Sequence, residues 1–322
     1  MMRSNSPEFT DGMIREPVGG IEPPPREAQP LRQAPSHRAL LRRQTLLWLL
    51  PPLAWFFVFM IVPYGLLLYY SLGTVENVTF HPGFTAANFV RLFTTEPYLS
   101  VLLKSLRIGI IAGLGASLLG YPLAFALAFH VASERTRFLV YLLIIAPWWA
   151  AYLVKAYAWK TILGSHGLIN SALLSSGLIS EPLTVLLYNE FSVCLTLIYI
   201  FTPFAALSIY ASLERIPTSI IESARDLGAS SWEIFTRIVW PLSVPGVVAG
   251  AIIASSLAFG DFIAPALVGG PSGIMITNIV VNLLGVAFDW PMAASIGVVT
   301  IILGMLLISI AQYFEHRGAV RL

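Results

Sequence analysis

Charge is what this chain has least of. Only 11% of its 322 residues are Asp, Glu, Lys or Arg, against about 25% in an ordinary soluble domain. Hydrophobic residues make up 57% and the mean hydropathy is +0.77. That deficit excludes a water-solvated fold and makes the bilayer the solvent. The net charge of +2 is small and its cations are thinly spread, which excludes a nucleic-acid partner. A single cysteine, Cys194, excludes an intramolecular disulfide; at mid-span it reads as a small buried hydrophobe. Residues 1–45 are short of large apolar side chains and rich in Pro, Arg and Glu (IEPPPREAQPLRQAPSHR). They are expected to form a disordered cytosolic tail, not a signal peptide.

What is abundant is long apolar sequence. A spanning helix needs about 20 mostly apolar residues, and six segments qualify: Leu46–Leu72, Val101–Phe129, Phe138–Leu163, Glu190–Leu213, Leu242–Val268 and Met292–Phe314. The predicted class is therefore an all-α polytopic membrane protein with six transmembrane helices. The domain occupies residues 46–316, and a short tail, 317–322, follows. Internal prolines such as Pro122, Pro147, Pro203 and Pro245 are compatible with this, because neighbouring helices re-satisfy the freed carbonyls.

Basic residues set the orientation. Arg38, Arg42 and Arg43 precede the first span, Arg135 and Arg137 lie between the second and third, and Arg215, Arg225 and Arg237 between the fourth and fifth. Thr161–Glu214 and Ile238–His316 contain no Lys or Arg at all. Both termini are thereby expected in the cytosol of a cell with an inner membrane. Arg91, Lys104, Arg107 and Lys160 run against the rule. The outer connections, Gly164–Asn189 and Gly269–Pro291, carry Gly, Pro, Ser and Asn among apolar residues and are expected to form short helical or re-entrant caps.

The most informative stretch is IESARDLGASSWEIFTRIVWP, Ile221–Pro241, within a cytosolic loop 214–241. Pro217 suits the first turn of a helix. Ile220, Ile221, Ala224 and Leu227 make an apolar stripe, and Gly228 is placed to end the helix in a left-handed conformation. Ser230 and Glu233 form a capping-box pattern that opens a second helix, with Pro241 expected to separate it from the fifth span. Two short helices with a sharp bend make a knob for a cytosolic partner to grip; resting on headgroups is the alternative.

Glu222-Ser223-Ala224, Gly228, Ile238 and Pro241 resemble the EAA motif of binding-protein-dependent ABC importer permeases. The spacing matches throughout; Ser223 and Trp240 depart mildly from the pattern. LGYPLAFALA (119–128), KAYAWKTILGSHGLIN (155–170), YASLERIP (210–217) and FGDFIAPALVGG (259–270) resemble the spermidine/putrescine-type subfamily over residues 46–315. Lys155 stands where that subfamily usually has Arg, and Asp261 where it often has Glu.

The resemblance implies a type I ABC importer fold with no catalytic residues and no cofactor. It implies an ATP-binding subunit dimer gripping Glu222, Ser223, Ala224, Arg225, Asp226, Gly228, Ile238 and Pro241. A second permease, as a heterodimer, and a periplasmic solute-binding protein complete the set, in lipid. The cargo implied is a polyamine or a related small solute. The chain lacks a G-x-x-x-x-G-K-[ST] sequence, and Gly269–Gly273 reads as an outer turn.

Ionisable groups inside spans are costly and default to functional candidates. Asp261 is the sharpest; Lys155, Tyr157, Trp159 and Asn278 join it as candidates for the translocation path. Against this, Asp261 serves equally in helix packing, and Lys155 and Lys160 are placed to snorkel to the headgroups. Glu190 and Asp289 are expected to be solvated, and Asn278 with Asn282 to pack between helices. His81, His166 and His316 show no metal-ligand spacing. A membrane enzyme would need convergent polar groups at one depth, and an ATP-independent transporter or channel would leave the loop unexplained.

Overall fold

The structure, a computed structural model, describes residues 48–76, 79–131 and 133–319. The expected tail, 1–45, lies outside the described residues. One compact unit is Val58–Leu322; of the other, Met1–Phe57, residues 48–57 are described and form exposed helix.

The element order is α1 (Trp48–Ser71), β1 (Thr74–Glu76), β2 (Thr79–His81), α2 (Ala87–Thr94), α3 (Tyr98–His130), α4 (Glu134–Trp149) and α5 (Tyr152–Leu163), followed by α6 (Leu168–Ser175), α7 (Glu190–Leu213) and α8 (Thr218–Asp226). Last come α9 (Ser231–Phe259), α10 (Ile276–Gly285) and α11 (Trp290–Ala319). Among the described residues, five helices are individually long and apolar enough to cross a bilayer: α1, α3, α7, α9 and α11. The third expected span, Phe138–Leu163, is two helices, α4 and α5, parted where Ala150 and Ala151 adopt ψ 134 and 137. Pro147 removes one hydrogen bond from the last turn of α4, and the helix ends soon after.

α3, α7 and α9 pack as the core. Arg107 near the start of α3 meets Glu190 at the start of α7, and Gly115 abuts Ile198, so these two helices run parallel. Gly109 abuts Phe259, while the Tyr121 and Ser243 hydroxyls lie 3.1 Å apart, so α9 runs antiparallel to α3. Small residues hold the contacts. A Cβ on Gly120 would come within 2.9 Å of the Ala206 backbone nitrogen, and one on Gly250 within 3.0 Å of the Ala205 carbonyl. Inside a membrane there is no hydrophobic gain between apolar helices, so close backbone approach is what binds them. Ile108, Ala112, Ala116, Leu197, Ala205 and Ala254 fill the centre.

A second apolar cluster joins α2, α10 and α11 through Leu92, Ile276, Leu283, Met292 and Ile296. The connections 164–189 and 269–291 carry short helices, α6 and α10, and Gly270–Gly273 is a turn. One element departs from the all-α expectation: β1 and β2 pair antiparallel, with Val75 opposite Phe80. Phe80 packs its ring on Tyr70 with centroids 4.7 Å apart, which gives the short hairpin an apolar anchor. Asn88 donates to the carbonyls of Ser71 and Gly73 at 3.0 and 2.8 Å and ties the end of α1 to α2.

Candidate functional site

Loop 214–241 builds a knob from local chemistry. Pro217 caps α8, and the helix ends in the bonding pattern that a left-handed residue permits. The Gly228 N–H donates to the Arg225 carbonyl at 2.9 Å, and the Ala229 N–H to the Ala224 carbonyl at 3.0 Å. These are the two bonds of a Schellman motif, and Gly228 has φ +84, which glycine adopts without penalty. Two residues on, the Ser230 hydroxyl accepts from the Glu233 N–H at 3.3 Å. The Ser230 N–H donates back to the Glu233 carboxylate at 2.9 Å, closing the capping box that opens α9. Orphan groups of both helix ends at this bend thus find partners within the loop.

Ile221 and Ala224 turn inward onto Ile216, Ile234, Val239 and the lower part of α3 and α7. The expected stripe is narrower than its spacing suggests, because Leu227 is 89% exposed and Ile220 also faces outward. Ala224 and Ala229 pack in the same cluster as the bend. Glu222, Ser223, Arg225 and Asp226 are exposed, and among the described residues none of their charges is ion-paired. Glu222 lies mid-helix, beyond the first turn where the macrodipole favours an acid, so that argument does not explain it. Glu222 and Arg225 line a groove of about 460 Å³ whose floor is Phe125, Phe129 and Phe235.

Pro241 does not separate the second helix from the fifth span. α9 runs unbroken through it because Phe235–Val239 is a π turn, in which the Trp240 N–H donates to Phe235, five residues back. The widened turn accommodates a ring that has no N–H to offer. Ile238 lies in that turn, half-buried.

The candidates for the translocation path separate into two places. Lys155 and Asp261 are each 9% exposed and come together through Tyr152. The Tyr152 hydroxyl donates to Asp261, and the Lys155 ammonium sits 5.7 Å from the centre of the Tyr152 ring. Asp261 also accepts from the Ala264 N–H at 2.8 Å, capping the turn that follows the end of α9. Asn278 lies nearby, donating to the Phe262 carbonyl at 2.8 Å and accepting from Met275 N–H at 3.1 Å. Tyr157 and Trp159 are elsewhere: Tyr157 is exposed, and Trp159 packs edge-on against Tyr199 at 5.5 Å.

Lys155 is buried in the chain, with its ammonium over the Tyr152 ring. Lys160 lies over the Tyr188 ring at 5.8 Å. Glu190 and Asp289 are not simply solvated, since they pair with Arg107 and, at 2.7 Å, Arg91. Asn278 and Asn282 share the wall of a cavity of about 540 Å³ beside Tyr98 and Pro265. Tyr152 was missed in the sequence. Its spacing of three from Lys155 puts both on one helical face, which is the signal that would have found it.

These features define a class. The chain belongs to the family of binding-protein-dependent transport system inner membrane components, matched over residues 35–319. It is a multi-pass transport component of the inner membrane, not an enzyme.

Among its relatives is the spermidine/putrescine transport system permease protein PotB of Salmonella typhimurium (strain SL1344). The two are 35% identical over 258 residues, 79% of this chain and 88% of that one. The inner membrane ABC transporter permease protein YdcU of Escherichia coli (strain K12) is 35% identical over 271 residues, covering 80% of this chain and 85% of its own length. In fold the chain is similar to a chain in the crystal structure of a bacterial ABC transporter involved in the import of the acidic polysaccharide alginate. The TM-score is 0.68 at 22% identity, over 87% of this chain and 98% of that one. The architecture is thus that of type I ABC importer permeases.

Proposed function

We propose that the chain forms half of the translocation path of an ATP-driven importer for polyamines, with loop 214–241 facing the cytosol and gripped by an ATP-binding subunit dimer. The observation that carries this is the outward face of α8. It presents Glu222, Arg225 and Asp226, in none of the ion pairs among the described residues, beside Leu227, 89% exposed, on a helix whose C-terminal end is satisfied within the loop. A helix resting on headgroups would bury its large apolar residues in lipid and surround them with cations. Here acids and a base alternate around one exposed leucine, which suits a protein cleft.

A second permease, different in sequence, pairs with this one, and a periplasmic binding protein delivers cargo to the end of the bundle that carries Glu190 and Asp289. Both termini lie in the cytosol. The assignment of polyamine cargo is supported by the relatives named for spermidine and putrescine. The test is twofold. With Cys194 replaced by Ala, a cysteine at Leu227 should cross-link to a nucleotide-hydrolysing subunit in intact membranes. The complete importer in proteoliposomes should accumulate labelled putrescine or spermidine only when ATP is supplied on the loop side. Cross-linking without amine uptake would retain the coupling role and discard the cargo.

A further inference from the structure

Tyr152 stands first in α5, directly after the break at Ala150 and Ala151. Asp261 stands directly after the end of α9, where Gly260 closes the helix. The expected fifth span, Leu242–Val268, is thus interrupted where α9 ends at Phe259, and it is joined to the break between α4 and α5 by one hydrogen bond, from the Tyr152 hydroxyl to the Asp261 carboxylate. The second carboxylate oxygen is committed to the Ala264 N–H, so Asp261 spends both oxygens on structure. Lys155 lies one turn beyond Tyr152, its ammonium facing the same ring from 5.7 Å, and forms none of the ion pairs among the described residues. A lysine and an aspartate, each 9% exposed, bracket a single tyrosine.

We infer that Tyr152 is a positioning residue of transport. With Asp261 and Lys155 it forms a charge-balanced strut that makes the α4–α5 break and the break after α9 move as one, and it does not touch cargo. Physical reasoning favours the strut over a binding site. An isolated carboxylate or ammonium removed from water costs several kcal/mol, whereas a balanced pair held by further hydrogen bonds is tolerated. Each Asp261 oxygen accepts a hydrogen bond from this chain, so the two breaks set the orientation of the carboxylate before any cargo arrives. Alternating access in transporters is largely a rocking of one bundle against another, so a bond between two breaks ties the segments on either side together as they rock. This inference rests on the transport reading above, and its test separates the two.

The measurement uses the complete importer, with its ATP-binding subunits, second permease and binding protein, in proteoliposomes. Wild type is compared with Tyr152→Phe, Asp261→Asn, Lys155→Met and the double variant Asp261→Asn/Lys155→Met. Tyr152→Phe should lower maximal uptake about tenfold or more. The cargo concentration for half-maximal uptake should stay within about twofold, while cargo-independent ATP hydrolysis persists. Each single charge removal should lower uptake and the unfolding temperature of the purified assembly, since it strands the opposite charge. The double variant should recover both readouts, because neutralising the pair removes the stranded charge. A rise in the half-maximal concentration at unchanged maximal rate would place these residues on the cargo and overturn the strut. A double variant as impaired as the product of its singles would overturn it too. Wild-type importer that moves no amine sinks the cargo assignment alone, since reciprocal recovery of the unfolding temperature still decides the strut.

Discussion

At Gly228 the demands on one residue can be separated. Its φ of +84 disfavours any side chain, yet a Cβ there would meet nothing within 4 Å in this chain. Gly228→Asn, which tolerates the left-handed region, should therefore keep normal membrane abundance, and Gly228→Ala should cost only about 1 kcal/mol. Gly228→Asp is expected to lower uptake by about tenfold or more while ATP hydrolysis continues, because its charge enters the space a partner occupies. Immunoblotting of membranes beside uptake and phosphate-release assays checks all three. Normal uptake by the aspartate variant at normal abundance would refute the docking role. The neighbouring cap gives a milder prediction: Ser230→Ala removes the acceptor for the Glu233 N–H and should destabilise the bend by about 1 kcal/mol, read as faster proteolysis within 226–233. These local features were legible in the sequence because turn and cap chemistry acts over a few residues. The partnership of Tyr152 with Asp261 was not, since it spans 109 positions and only tertiary packing brings the hydroxyl to the acid.

Among elements, the long apolar helices could be read directly, since twenty consecutive residues without charge have few alternatives in a bilayer. Their interruptions could not. The break in the third span falls in Ala150-Ala151, and alanine is the strongest helix former; local propensity argues against a break there. Conversely Pro241 reads as a stop and is not one, because the preceding turn widens to receive it. The contacts between α3 and α9 give a further prediction. A Cβ on Gly113 would collide with the Ser255 side chain and the Ala251 carbonyl, and backbone cannot yield cheaply. Gly113→Val should cost about 2 kcal/mol or more and deplete the protein from membranes. Gly304→Val, where an added Cβ meets nothing within 4 Å, should leave abundance unchanged.

For the molecule as a whole, three of the four cations that run against the positive-inside rule are bonded to a distant element. Arg91 holds Asp289, Arg107 holds Glu190, and Lys104 donates to the Ser272 carbonyl at 2.8 Å. The sequence could not show this, because each bond joins elements 83 or more residues apart. In a Cys194→Ala background, Glu181→Cys should react with a membrane-impermeant maleimide in intact cells, and Ser219→Cys only after permeabilisation. The reverse pattern would invert the topology and end the coupling assignment.

The wide turn at Phe235–Val239 sits between the knob and the fifth span, and it accommodates one residue more than an ordinary helix of that length. Shortening the chain by one there, for instance by removing Thr236, would let the stretch rewind as plain α-helix. Because the widened turn already absorbs that residue, everything on its N-terminal side would keep nearly its present heading, whereas removing a residue from the regular part of α9 would swivel it by about 100° and draw it in by about 1.5 Å. The aim of the α8 face is thus insulated from the supernumerary residue by the turn that holds it. A deletion in the plain helix beyond it would retune which way the knob points without altering any side chain upon it.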